Sequence, residues 1–303
     1  MRSSAGMAPT GVLLMTYGSA VTSADVEPYL RSVYRGADPP ADLVAEFQRR
    51  YDLVGGSPLI EITRAQGREL QRALGDDHVV RVGMLHSPPS IPDAVAELAG
   101  AGVERIIGIV LSPQYSPIIM GGYPRALGAA AEANGVSAGM AEPWHLTPAF
   151  IECMAGRVTD ALDKLGEVPV IFTAHSLPES VIDRDRGYLD QIHETIDAIV
   201  ARAGLPDDRW QFAYQSAGHS PEPWLTPDLK DLLPGLRDAG HSAVLVVPVQ
   251  FLADHLEILF DIDVAAAEEA EEVGLAFNRT ELPNTDPAFI ESLRQVVERE
   301  QER

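Results

Sequence analysis

The feature that most constrains this chain is a repeated pattern: short apolar runs that stop abruptly at a turn, separated by helix-length segments. Residues 11–17, 79–86 and 105–111 are three such runs, stopping at Gly18-Ser19, Ser87-Pro88-Pro89 and Ser112-Pro113. Between them, residues 25–33, 41–53, 62–74 and 91–101 carry helical periodicity. Strands alternating with helices of this length predict βαβ units and a parallel sheet. The pattern then restarts, with strands at residues 168–174, 210–214 and 243–249 and helices at 188–203 and 228–239. The third unit of each round is alike. Ala101-Gly102 precedes a strand ending at Pro113-Gln114-Tyr115, and Ala239-Gly240 precedes one ending at Pro248-Val249-Gln250-Phe251, an offset of roughly 136 residues. Three units in matching order predict an internal duplication.

The expected architecture is therefore α/β, with two Rossmann-like domains, each built on a parallel sheet. The boundary is placed between 1–147 and 148–303, and the last helix, 287–300, is expected to pack back on the first domain. A length of 303 residues accommodates two domains. No Gly-x-Gly-x-x-Gly or P-loop follows any of the strands, which removes the usual nucleotide readings of such a sheet. Gly55-Gly56 and Gly121-Gly122 read as turns.

Charge and cysteine usage narrow the function. A net charge of −22 repels a phosphate backbone and an anionic membrane surface, so no nucleic-acid partner is expected. A single cysteine, Cys153, excludes a disulfide framework, a zinc ribbon and a four-cysteine iron–sulfur cluster within the chain. Residues 1–10 are too short and polar for a signal peptide, and no apolar run approaches the roughly 18 residues of a membrane span. A soluble, cytoplasmic, monomeric protein is the expectation.

Two stretches carry chemistry. Val170-Ile-Phe-Thr-Ala-His175 is an apolar run that delivers one imidazole to the carboxyl end of a sheet, where open α/β folds bind ligands. A neutral imidazole accepts a proton near neutral pH. The run at 243–249 leads into Asp254-His255-Leu256-Glu257, so Glu257 can share a cleft with His175. Asp254, Glu257 and Asp261 are spaced i, i+3, i+7, which on an α-helix is one face. Their apolar neighbours distinguish this stripe from Glu268, Glu269, Glu271 and Glu272, which read as an exposed face. Clustered carboxylates raise one another's pKa and attract a divalent cation. Tyr17 ends the first strand and offers a phenol, and Arg35 and Arg50 suit substrate carboxylates.

At these residues the sequence resembles the ferrochelatase family. Thr173-Ala-His175-Ser-Leu-Pro178, Asp254-His-Leu-Glu257 and Leu14-Met-Thr-Tyr17-Gly18-Ser are similar to that family's motifs. So are Tyr51-x4-Gly-Ser57-Pro58-Leu59, Gln215-Ser216-Ala217-Gly-x-x-Pro221-x-Pro223-Trp224-Leu225 and Pro248-Val-x-Phe251. The matches run in order over nearly the whole chain. The resemblance implies a chelatase-like pair of domains with a porphyrin cleft between them, and insertion of Fe²⁺ into a porphyrin during haem synthesis. Iron is then a substrate, with no prosthetic group. His175 and Glu257 match the pair facing the porphyrin centre and the metal. Asp261 matches an acidic line that handles metal or protons, with Asp254 placed behind it. Tyr17, Arg35, Arg50, Ser57 and Tyr115 are the implied porphyrin contacts. Tyrosine at position 17, in place of methionine, resembles the branch that uses coproporphyrin III; protoporphyrin IX is the other substrate. Three features depart from the pattern: a longer segment at 179–187, Ala265 where a further acid could stand, and Tyr34 where an arginine pair is sometimes seen.

Two other readings stay open on sequence. A cobalt chelatase for sirohydrochlorin would carry histidines in both halves, and His86 ends the second strand. A non-catalytic tetrapyrrole or haem carrier would need an axial ligand without an acidic relay.

Overall fold

The computed structural model describes residues 8–218 and 221–303. Most of the 1–10 stretch considered above, and the two variable positions before Pro221, lie outside the described residues. The first half contains β1 (Thr10–Thr16), α1 (Val26–Val33), α2 (Ala41–Val54), α3 (Leu59–Leu74), β2 (His78–Met84), α4 (Ile91–Gly100), β3 (Arg105–Val110), α5 (Pro117–Met120), α6 (Gly122–Asn134) and β4 (Ser137–Met140). The second contains α7 (Pro148–Leu165), β5 (Val170–His175), α8 (Glu179–Ile182), α9 (Gly187–Ala203), β6 (Trp210–Gln215), α10 (Leu229–Asp238) and β7 (Ala243–Pro248). A π-helix (Glu257–Ala266), α11 (Ala267–Glu272), β8 (Ala276–Arg279) and α12 (Pro287–Gln301) complete it.

Both halves are four-stranded, all-parallel sheets of identical topology, ordered β2-β1-β3-β4 and β6-β5-β7-β8. Each of β1 and β5 is thus an inner strand flanked by the next two strands of its half. That is the switch-point arrangement, which opens a crevice at the strands' carboxyl ends. Registers also correspond: Met15 pairs with Val110 on one sheet and Thr173 with Pro248 on the other. Tyr17 and His175 each lie two residues beyond those positions, so they occupy equivalent strand ends.

The structure differs from the sequence reading in several elements. β4 and β8 were not expected, because these short edge strands, β4 largely exposed and β8 mostly half-buried, carry no apolar run. Gly121-Gly122 is not a free turn but the junction of α5 and α6, where a Cβ on Gly121 would sit 2.7 Å from the Pro117 carbonyl oxygen. The helix after β7 is wound as a π-helix rather than an α-helix.

The principal core joins the halves. Leu13, Ile106, Phe150, Phe172, Tyr188 and Phe289 belong to one continuous buried cluster. α12 packs against both α3 and α7. Its Glu300 carbonyl accepts from the Arg105 side chain at 2.9 Å, and its Glu300 carboxylate accepts from the Glu142 N–H at 3.2 Å. The division near residue 147 is accordingly one of chain topology and not of packing. Among the described residues, no helix is long and apolar enough to cross a membrane.

Candidate active site

A cavity of about 480 Å³ opens between the carboxyl ends of the two sheets. Of the residues predicted from sequence, it brings together Tyr17 and Arg50 from the first half with His175, Glu257 and Asp261 from the second. Local sequence explains each placement. His175 is the last residue of β5, whose preceding residues are fully buried, so the ring emerges where the sheet ends. Glu257 opens the π-helix after the chain leaves β7. Tyr17 precedes Gly18, whose φ of 95° turns the chain out of β1. A Cβ at Gly18 would run into the Ser87 hydroxyl, so this exit needs glycine.

His175 and Glu257 lie 3.6 Å apart, Nε2 to Oε2. A second histidine, His255, approaches the same carboxylate oxygen through its own Nε2 at 3.8 Å. Both rings turn Nδ1 to a backbone carbonyl, Ser176 for His175 and Ala253 at 2.9 Å for His255. A carbonyl only accepts, so Nδ1 carries the proton in each ring. The two Nε2 lone pairs are left facing a carboxylate. Three electron-rich atoms in one place are stable only with a proton or a cation among them.

The electrostatics agree. Burial pushes the Glu257 carboxyl up, but His175 and then His255 outweigh it and hold it at about 2. Burial lowers the His255 pKa, yet Glu257 more than compensates, so the ring is held above its usual value. Asp261 moves the other way: burial, with the Glu257 charge adding to it, raises its carboxyl above the usual range. The Arg50 guanidinium stands 3.5 Å from it. Two carboxyls one helical turn apart are thereby split, one firmly ionised and one able to exchange protons nearer neutrality. Burial and the charge of Glu257 also raise the Tyr17 phenol, which stays protonated. Its ring rests against His86, with centroids 4.4 Å apart. His86 in turn shares its Nδ1 with the Ser32 hydroxyl at 3.1 Å. His86, two residues beyond β2 rather than at its end, rests against the phenol and does not line the cavity.

Four predicted residues are not brought to the cavity. Asp254 falls before the π-helix and serves the scaffold. Its N–H donates to Asn284 Oδ1 at 3.0 Å, its Oδ2 accepts from Asn284 Nδ2 at 2.8 Å, and Arg279 stands 3.5 Å away. The expected one-face stripe of Asp254, Glu257 and Asp261 is therefore broken at its first member. Arg35 is exposed in the turn closing α1, at φ 56°. Ser57 is buried, with its N–H given to the Val21 carbonyl at 2.9 Å. Tyr115 packs against the core joining the halves, its backbone bonded by the Gln191 amide at 2.9 Å and 3.2 Å.

Sequence reasoning missed His255, although it lies inside the motif that pointed to Glu257. It also missed the phenols of Tyr29, Tyr51 and Tyr123 and the Gln250 and Tyr188 side chains, all lining the cavity. Helical spacing alone assigns these residues to packing. The apolar wall includes Ile119, 40% exposed, and Met120 on α5, with Leu177 opposite. The cavity is thus a slot with greasy walls, hydroxyls and one guanidinium along one side, and a proton-holding triad on the other.

Comparison with known proteins gives the slot a context. The sequence profile of the Ferrochelatase family matches residues 9–301. A ferrochelatase of Deinococcus radiodurans is 40% identical, covering 96% of this chain and 96% of the relative. A coproporphyrin III ferrochelatase of Geobacillus thermodenitrificans is 36% identical, covering 95% of this chain and 94% of its own length. Among solved structures, SirB from Bacillus subtilis with Fe³⁺ superposes with a TM-score of 0.56 at 12% identity, covering 97% of this chain and 98% of that one. CbiX, described as the terminal enzyme of sirohaem biosynthesis in denitrifying bacteria, gives 0.54 at 12% identity, covering 96% and 98%. These two likenesses bear on the fold alone.

Proposed function

This chain belongs to the ferrochelatase family, and we propose that it inserts ferrous iron into coproporphyrin III at the His175–Glu257 pair. The family's reaction, iron insertion into a porphyrin in haem synthesis, makes it a porphyrin metal chelatase, a lyase. The observation that carries the reading is the 3.6 Å approach of His175 Nε2 to Glu257 Oε2 inside an apolar slot. First-row divalent ions hold imidazole and carboxylate donors at roughly 2.0–2.2 Å. Two donors 3.6 Å apart can meet one such ion at an angle of roughly 110–130°. Among the described residues no group of three or more metal-ligating side chains is arranged to hold an ion. Iron met by two protein donors keeps its remaining positions for water and for the ring, which favours transfer over retention.

Metallation requires that two pyrrole N–H protons leave, that iron shed water and that the macrocycle pucker. With Nδ1 protonated, His175 Nε2 has a single lone pair, so it accepts a pyrrole proton only in the state in which it is not holding iron. Glu257, ionised throughout the neutral range, stabilises the imidazolium that forms, and His255 keeps its own Nδ1–H on the Ala253 carbonyl meanwhile. Asp261, with its raised pKa, carries protons onward past Arg50. Tyr17 meets the opposite face of the ring. Walls that fit the puckered ring better than the flat one lower the barrier by differential binding.

The choice of coproporphyrin III rests on the polar side of the slot. Its four propionates need partners, and Tyr29, Tyr51, Tyr123 and Arg50 bring phenols and a guanidinium to the cavity lining. A cytoplasmic setting remains part of the reading, supported by a single, buried cysteine. The test is anaerobic Fe²⁺ insertion into coproporphyrin III and protoporphyrin IX, followed by absorbance. Preferential metallation of coproporphyrin III is expected. Equal or reversed preference would contradict the substrate reading, and tight binding without metallation of either ring would contradict the enzyme.

A further inference from the structure

The ladder between β5 and β7 ends one rung before His175. Thr173 pairs with Pro248, and the last backbone bond runs from the Val249 N–H to the Thr173 carbonyl at 3.0 Å. In a parallel ladder the next donor on that edge is the His175 N–H, and its partner would be the Val249 carbonyl. Here the bond goes elsewhere: the His175 N–H donates to Oε1 of the Gln250 side chain at 2.9 Å. The other end of the same amide donates through Nε2 to the Tyr188 hydroxyl. Tyr188 is only 2% exposed, lies in the first turn of α9, and lines the cavity beside Gln250.

We infer that Gln250 is a positioning residue that fixes the height of His175 in the cleft by replacing a sheet rung with a side-chain bridge to Tyr188. A glutamine suits this place because one end accepts and the other donates, matching a backbone N–H on one side and a phenol oxygen on the other. The bridge also explains how the chain can leave the sheet. With the rung made by a side chain, the backbone after Val249 is free to diverge from β5. The diverging segment brings the Phe251 ring against His255, with centroids 4.6 Å apart, and ends at Glu257. One amide thus governs both the strand that carries His175 and the departure that carries Glu257. In the first half the equivalent position is Ser112, whose hydroxyl donates to the Gln114 carbonyl at 3.2 Å. The bridging device therefore belongs to the half that carries the histidine. Position 250 is the variable place in Pro248-Val-x-Phe251, so the motif itself did not mark it.

This inference rests on the reading that His175 takes part in metallation, so the test carries His175→Ala beside the new variants. Steady-state Fe²⁺ insertion would be measured in the full chain for Gln250→Leu, Gln250→Glu, Tyr188→Phe and the Gln250→Leu/Tyr188→Phe double variant. A misplacement of about 1 Å at a reacting group lowers turnover by up to about 100-fold. Gln250→Leu is expected to lower kcat by about 10- to 100-fold, with the porphyrin KM within about threefold. Gln250→Glu, whose carboxylate accepts from both the His175 N–H and the Tyr188 hydroxyl, should restore kcat to within about threefold. Tyr188→Phe should cost less than Gln250→Leu and add little on top of it, as expected for members of one bridge. Unchanged kcat in Gln250→Leu with His175→Ala inactive would overturn the inference alone, as would a loss confined to KM or a failure of Gln250→Glu to rescue. Full turnover in His175→Ala would overturn the metallation reading and this inference with it.

Discussion

Glu257 sits between two imidazoles whose Nδ1 atoms are already committed to carbonyls, and this commitment gives the site its character. The consequence for stability has a definite sign. His255 has its folded pKa raised above 6.5, so its contribution is fully present below that value and is lost as pH climbs through the folded pKa. Glu257 is lowered from 4.5 to about 2, so its contribution is present above 4.5 and is lost as pH falls through that interval. The pair therefore stabilises the metal-free protein most between pH 4.5 and 6.5. Melting temperatures of wild type and His255→Gln, measured with a chelator present, should differ most in that window and converge as the pH rises through the raised pKa of His255. A gap that stays constant into alkaline pH would contradict the assignment. His175 was legible in the sequence because an apolar strand stops at it, and Glu257 because it follows a second strand. His255 was not, since its role depends on which carbonyl its ring meets, a fact of tertiary geometry.

At the scale of elements, strand ends carry the site and their exits must be exact in direction. Gly18 takes the chain out of β1 at φ 95° and abuts Ser87 and the Met84 Cβ, 3.2 Å from where a Cβ would stand. Gly18→Ala should cost about 1–3 kcal/mol from backbone strain alone, and it should disturb the Tyr17–His86 stack. Urea unfolding checks the first effect; stability within error of wild type would show that the turn adapts. The π-helix is the element that sequence spacing misread. Apolar residues at Ile258 and Ile262 and carboxylates at Glu257 and Asp261 fit either winding by period, so spacing does not distinguish the wider turn. The inner strands of both sheets were readable because burial on both faces leaves continuous apolar runs. β4 and β8 were not, because at four residues each they are too short to show a run, whereas the edge strands β2 and β6 have seven and six.

Across the whole molecule, two sheets of one topology face each other with their carboxyl ends toward a shared slot, while one continuous core and α12 tie them together. The repeated order of units was visible in the sequence, and the two halves differ at equivalent strand ends: Tyr17 follows one inner strand and His175 ends the other. Both side chains line the shared slot, and on the proposed reading the phenol meets one face of the ring and the imidazole the other. The net charge of −22 attracts cations to the protein as a whole. Arg35, read as a partner for substrate carboxylates, and Ser57 and Tyr115, implied by the family resemblance, do not line the cavity, because residue type and order carry no information about which way a side chain turns. The most direct test of the account is a single-turnover comparison of wild type and His175→Ala, with porphyrin binding and Fe²⁺ insertion followed separately under anaerobic conditions. The account predicts that the variant binds coproporphyrin III with affinity within about tenfold of wild type, or about 1.4 kcal/mol, and fails to metallate it. Insertion by His175→Ala at a near-normal rate would contradict it.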